Sequence, residues 1–148
     1  MIRVEGVSVF FEEFQALKEV SLHVERGRTK AVVGASGCGK STLLKAIIGL
    51  LKPDAGEVYI DGEALSRLDA ERLDRIRRRI AMVFQANALF DSLTVGENVG
   101  YRLLERGEMD EAAVEERVRE SLRYVGLEEA IDMLPEELSG GMKKRVAF

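Results

Sequence analysis

Gly34-Ala35-Ser36-Gly37-Cys38-Gly39-Lys40-Ser41 decides how this 148-residue chain reads. The segment fits the pattern of a glycine, four free positions and Gly-Lys-Ser, and its surroundings fit as well. Before it, residues 29–33 end in the apolar Ala31-Val32-Val33 and are read as a strand buried in a parallel sheet. After it, residues 41–51 place Leu43, Leu44, Ile47, Ile48 and Leu51 on one helical face. Strand, glycine-rich turn and helix in this order make a seat for phosphate. Glycines let the backbone curl until several N–H groups point inward with no side chain in the way. The helix start adds its positive dipole end. Lys40 brings a point charge to the β- and γ-phosphates of a nucleoside triphosphate, and the Ser41 hydroxyl is placed to ligate Mg²⁺. The plainer reading, a glycine-rich turn that merely precedes a helix, must treat the flanking strand and helix as coincidence. Cys38 fills a position that the pattern leaves free.

Outward from the loop, the N-terminal stretch alternates in the β manner at Ile2, Val4, Val7 and Val9, with Glu5-Gly6 as a break. Residues 19–24 predict a second strand ended by a turn at Arg26-Gly27. Beyond the loop, Pro53-Asp54-Ala55-Gly56 stops the helix, and residues 57–60 predict a strand running into an Asp61-Gly62 turn. A charged helix over 70–78 leads to a second buried-strand candidate at 80–84. From about Thr94 to Leu134 the pattern is helical, with Val114, Val118, Leu122 and Val125 on one face. A last helix starts near Ser139.

Composition narrows the class. Hydrophobic residues make up 46% and charged residues 32%, the balance of a soluble globular domain. A net charge of −4 argues against a dedicated nucleic-acid binder. The arginine run Arg75, Arg77, Arg78, Arg79 has Asp69, Glu71 and Asp74 close by and reads as a solvated helix face. A single cysteine forbids an internal disulfide and suits a reducing compartment. No run is apolar enough to span a membrane, and MIRVEGVSVF has no charged-then-apolar leader, so the expectation is a cytoplasmic protein that can still have a membrane partner.

Three further segments resemble the ABC-type ATPases. Phe84-Gln85 closes the second apolar run and resembles their Q-loop. Leu138-Ser139-Gly140-Gly141-Met142 resembles their LSGGQ signature, and 99 positions separate Lys40 from Ser139, which suits the helical subdomain of such a cassette. Phe11 lies where the family places an aromatic residue that stacks on adenine, although Phe10 and Phe14 are close by and any of the three could be core. The resemblance covers the whole chain. It implies an α/β fold of the phosphate-loop NTPase type, with a small antiparallel β subdomain, a partial parallel core sheet and a helical subdomain. The corresponding divisions are 1–93 for the β subdomain and phosphate-loop core, 94–138 for the helical subdomain, and 139–148 for the start of the signature helix.

The resemblance also implies roles. ATP and Mg²⁺ would be bound by Gly34, Ala35, Ser36, Gly37, Cys38, Gly39, Lys40, Ser41 and Thr42, with the base on Phe11. Ser41 and Gln85 would reach the metal, and Gln85 the attacking water. Ser139, Gly140 and Gly141 would offer a hydroxyl and backbone N–H groups to the γ-phosphate of an opposing subunit, which implies a head-to-tail dimer of ATP-binding subunits. Residues 86–98, with apolar Leu89, Phe90 and Leu93, would grip a membrane-spanning permease, placing the protein peripherally on the inner face of the cell membrane. A loop tucked onto the core is the competing reading of that segment.

Two departures refine the picture. Met142 stands where the family usually has glutamine, and Gly-Met-Lys-Lys-Arg-Val together with residues 84–95 looks like the ATPase subunits of Mla/Mce-type lipid transporters. An importer of small polar solutes is the alternative. No coiled-coil insert and no second cassette are present, which speaks against the DNA-repair and ribosome-acting branches. A complete cassette also has an apolar strand ending in Asp-Glu and a later histidine. Neither follows the signature within these 148 residues, and the sole histidine, His23, falls in the second strand candidate. The expectation is therefore a C-terminally truncated stretch that binds nucleotide and lacks hydrolysis of its own.

Overall fold

Val4 and Val7 are three residues apart, a spacing that would put them on opposite faces of a regular strand. Both are buried, because a bulge at Glu5-Gly6, with Gly6 at φ 57°, turns the chain back before Val7. The expected break is thus an irregularity inside one continuous strand. The computed structural model describes residues 1–85, 88–107 and 109–148, apart from the side chain of Arg106. These residues divide into two compact units, Met1–Ala81 and Met82–Phe148.

The first unit is built on an antiparallel sheet of β1 (Ile2–Phe11), β2 (Phe14–Val24), β3 (Ala55–Ile60) and the two-residue β4 (Glu63–Ala64), in the order β2-β1-β3-β4. Val4, Val7, Val9, Leu17, Val58 and Ile60 form its apolar face. Leu43 and Ile47 of α1 (Lys40–Ile47) and Ile76 of α2 (Ala70–Arg77) belong to the same core. Each such aliphatic side chain contributes about 1.5–3 kcal/mol by leaving water. Polar ties fix the rest. Ser8, buried, accepts a hydrogen bond from the Glu19 backbone N–H at 3.0 Å. Asp69 caps α2 by accepting from the Arg72 backbone N–H at 2.8 Å. The Arg77 guanidinium donates to the Gly49 carbonyl just past the end of α1.

Around the β3–β4 turn, Asp61 takes the N-terminal ammonium at 2.7 Å, Arg79 at 2.6 Å and Arg26 at 3.1 Å. These cations, the terminal ammonium first, hold its carboxyl well below the usual carboxylate range. The basic run of α2 is likewise interleaved with acid: Arg75 meets Glu71 and Arg78 meets Asp74 one helical turn back.

The second unit is helical: α3 (Val95–Arg106), α4 (Glu111–Tyr124) and α5 (Gly140–Val146). Thr94 and Glu97 close a reciprocal capping box on α3, and Asp110 caps α4. Val95, Val114, Val118, Leu122, Leu127, Leu138 and Val146 form its core. Gly100 lets α3 approach α4, since a Cβ there would lie 3.1 Å from Val118.

Several expectations change. Residues 29–33 and 80–84 were expected as buried parallel strands, yet neither is a strand, and no parallel pairing exists among the described residues. Val33 is 91% exposed, and Val83 and Phe84 are exposed as well. The cause is the ladder: a strand's N–H and C=O groups need a neighbouring strand, and no described residue supplies one beside these segments. β2 starts at Phe14 rather than 19, because an extra residue at Ala16 and a left-handed Glu19, φ 47°, scramble its alternation. α1 ends at Ile47, where left-handed Gly49 turns the chain away, and Leu44 is left exposed.

Candidate nucleotide-binding site

Gly39 explains how the loop is held. It caps α1 at φ 93°, a conformation that side chains resist. It also lies so close to β2 that an added Cβ would stand 2.5 Å from the Ala16 carbonyl oxygen and 2.8 Å from Leu17. Glycine is required twice over, and the loop's end is thereby seated on the sheet. Gly37 is left-handed too, at φ 79°, and the Cys38 N–H donates to the Ala35 carbonyl at 3.3 Å.

Inside this curl lies Lys40. Its ammonium donates to the Gly34 carbonyl at 2.8 Å and the Ala35 carbonyl at 2.7 Å, with the Cys38 sulfur at 3.7 Å. The charge therefore already sits within the loop, held by groups that phosphate oxygens can replace. Ser41 is exposed in the first turn of α1 and Thr42 is half-buried beside it, while no acidic residue occupies that turn to repel an anion. These residues fit a triphosphate. Among the described residues no cluster of His, Cys, Asp or Glu could hold a metal by itself. The donor set instead fits a Mg²⁺ that arrives with phosphate oxygens and takes the Ser41 hydroxyl.

Phe11, in the same unit, is half exposed at the tip of the β1–β2 hairpin. His23 is exposed on β2 opposite Arg3. The remaining predicted residues belong to the second unit. Gln85 is exposed at a turn, and Ala86 and Asn87, which begin the expected permease contact, lie outside the described residues. From Ala88 onward that segment is anchored by a residue the sequence reading missed. The Asn98 side chain accepts from the Phe90 N–H at 2.8 Å and donates to the carbonyls of Phe90, Leu93 and Thr94. An asparagine four residues after a helix N-cap is the only sequence signal for it. Leu89 packs partly on the core, whereas Phe90 is exposed against Tyr101, ring centroids 4.7 Å apart, beside a cavity of about 230 Å³.

Ser139 caps α5, its hydroxyl accepting from the Met142 N–H at 3.2 Å. A Cβ at Gly140 would meet nothing within 4 Å, and one at Gly141 only the Ser139 hydroxyl at 4.0 Å. Internal packing therefore does not require either glycine.

A cavity of about 680 Å³ lies along α4 instead. It is a poor anion site: Arg117, Arg119 and Arg123 are paired with Glu120, Glu115 and Glu128, and Glu116 lines it too. No helix of the described residues is long and apolar enough to cross a membrane.

The chain is similar to several known proteins. An Arabidopsis thaliana protein, trigalactosyldiacylglycerol 3, chloroplastic, is 48% identical over 148 residues, all of this chain and 43% of its own length. The methionine import ATP-binding protein MetN of Symbiobacterium thermophilum is 43% identical over 152 aligned positions, again all of this chain and 46% of its own. The chain thus spans less than half the length of these two relatives. Among solved structures, the dimeric bacterial ABC transporter cassette MJ0796 superposes with a TM-score of 0.90 at 39% identity, covering 99% of this chain and 67% of that one. The same cassette is also known as a dimer bound to ADP and Pi after hydrolysis. The fold is that of an ABC ATPase cassette. The sequence profile of the ABC transporter family matches residues 17–148, and the chain belongs to that family.

Proposed function

We propose that these residues form the nucleotide-binding part of an ABC transporter's ATP-binding subunit, and that loop 34–42 takes Mg-ATP. One observation carries the reading: the Lys40 ammonium is held inside a glycine-rich curl whose last residue is seated on β2. In this reading the loop N–H groups and Lys40 bind the β- and γ-phosphates, and Ser41 orients the metal. Bound Mg²⁺ neutralises phosphate charge. Gln85 reaches the metal and the attacking water in the whole protein, and Ser139, Gly140 and Gly141 face the γ-phosphate of an opposing subunit. The dimeric state of the MJ0796 cassette supports that pairing. The exposed segment around Phe90 is then the permease contact, holding the protein on the inner membrane face. These 148 residues bind ATP without turning it over.

Titration of the chain with Mg-ATP tests the site. Lys40→Ala is expected to weaken binding by about tenfold or more, the worth of a charge-assisted contact. Binding that ignores Lys40 would remove the loop from the account, and phosphate release by this stretch that Lys40→Ala abolishes would refute the absence of turnover.

For the cargo we favour lipid. Met142 and the stretch after Gln85 support it, as does a relative that bears the name of a glycolipid. The name of the methionine-importing relative supports the second reading, a polar-solute importer. Purifying the whole protein with its membrane subunit separates them: lipid-stimulated ATPase activity is expected, and stimulation by a polar solute alone would reverse the choice.

A further inference from the structure

Among the described residues, Arg77 carries the one buried side-chain donor that the fold leaves unanswered. Its Nη2 donates to the Gly49 carbonyl just past the end of α1, but its Nε is shut off from solvent without a hydrogen-bond partner. A buried N–H without an acceptor is costly, and more so on a charged group. The surroundings of that Nε are suggestive. A Cβ on Gly49 would stand 3.8 Å from it, 3.1 Å from Leu73 and 3.6 Å from Leu65. Gly49, Leu65 and Leu73, together with Leu51 and Leu68, also line a cavity of about 240 Å³ inside the first unit. The orphaned donor and the cavity therefore meet at Gly49.

The chemistry of the cavity is one-sided. Four leucines make most of its wall, and such a space holds water poorly and takes apolar molecules instead. Its carboxylate is already engaged. Glu57 accepts from the N–H groups of Val58 at 3.0 Å and Ser66 at 3.3 Å, and from the Ser66 hydroxyl. Its cation is not: exposed Lys52, three residues on from Gly49, lines the cavity and forms no ion pair with a described residue. We propose that this cavity binds a small aliphatic carboxylate, its chain among the four leucines and its head turned to Arg77 and Lys52. A carboxylate answers a guanidinium N–H with a charge-assisted bond. Because the Nε is shut off, the ligand oxygen reaches it by moving the ends of Leu65 and Leu73 aside. At about 30 Å³ for each water-sized group, the cavity admits about eight, the size of hexanoate. The site is separate from loop 34–42 and stands at the other end of α1.

Backbone amide NMR shifts of the chain, followed during titration with hexanoate, test the site. Saturable shifts are expected at Gly49, Gly56, Leu65 and Leu73, which line the cavity. Acetate lacks the chain, and hexylammonium carries the same chain with the opposite charge. Each is expected to bind about tenfold more weakly or worse. Lys52→Ala, at an exposed position, weakens hexanoate about twofold or more. Arg77→Met, which removes the donors and keeps the apolar stem, weakens it about tenfold or more. If Arg77→Met does not fold, Leu73→Phe, which puts a larger side chain into the cavity, gives the same loss. Shifts that scatter over the surface without saturating overturn the site. Hexylammonium binding as tightly as hexanoate overturns it too, as does full hexanoate affinity in folded Arg77→Met or in Leu73→Phe.

Discussion

β1 buries Val4, Val7 and Val9 beneath α1 with at most 1% of each exposed, whereas residues 29–33, which end in the apolar Ala31-Val32-Val33, leave Val32 43% and Val33 91% exposed. Both stretches read as strands from their residues, and both belong to the same unit. β1 has β2 on one side and β3 on the other, so its backbone is paired along both edges and its valines gain a common roof. The second stretch has no ladder among the described residues. Apolar residues thus measure a segment's capacity to form a core strand, and neighbours decide whether that capacity is used.

Substitutions can break or sharpen this contrast. The largest effect is expected at Leu17, 5% exposed and opposite Val9: Leu17→Ala should destabilise the chain by about 3 kcal/mol in denaturant unfolding. Val33→Ala, equally conservative in chemistry, should stay within about 0.5 kcal/mol. Comparable losses at the two sites would mean that 29–33 is packed in solution and would erase the comparison.

A smaller effect is expected where the sheet is tied by charge. Asp61 is more acidic in the folded chain than an ordinary carboxylate, so its ion pairs stabilise the fold above the unfolded value of about pH 3.9. That stabilisation is lost as pH falls through the folded value. Asp61→Asn should therefore melt below the unaltered chain at neutral pH, and the two melting curves should converge on acidification below about pH 4. A gap that persists unchanged into acid would show that the turn needs the residue for something other than its charge.

Legibility followed the same division. The glycine-rich loop was readable because its features are local: glycine at Gly39, charge at Lys40 and a helix start fall within a few adjacent residues. The helical unit was readable because Val114, Val118 and Leu122 are spaced by the helix itself. What escaped depended on partners or on irregular backbone. Gly6 marks the bulge that reconciles Val4 with Val7 but reads in sequence only as a break, and the extra residue at Ala16 has no signature in residue type. Asn98, which fixes the segment from Phe90 to Thr94 through contacts with its backbone, looks in sequence like any exposed helix amide. Phe11 and Phe14 were visible as aromatic residues, but only the register shows that they share a face and Phe10 does not.

The central claim is that loop 34–42, seated on β2 through Gly39, is where this chain holds a triphosphate. Backbone hydrogen exchange with and without Mg-ATP tests it most directly. The account predicts slowed exchange in residues 34–42 and at the hairpin tip around Phe11, and no such slowing in Lys40→Ala. Protection that spares the loop and appears along α4, beside its cavity of about 680 Å³, would contradict it.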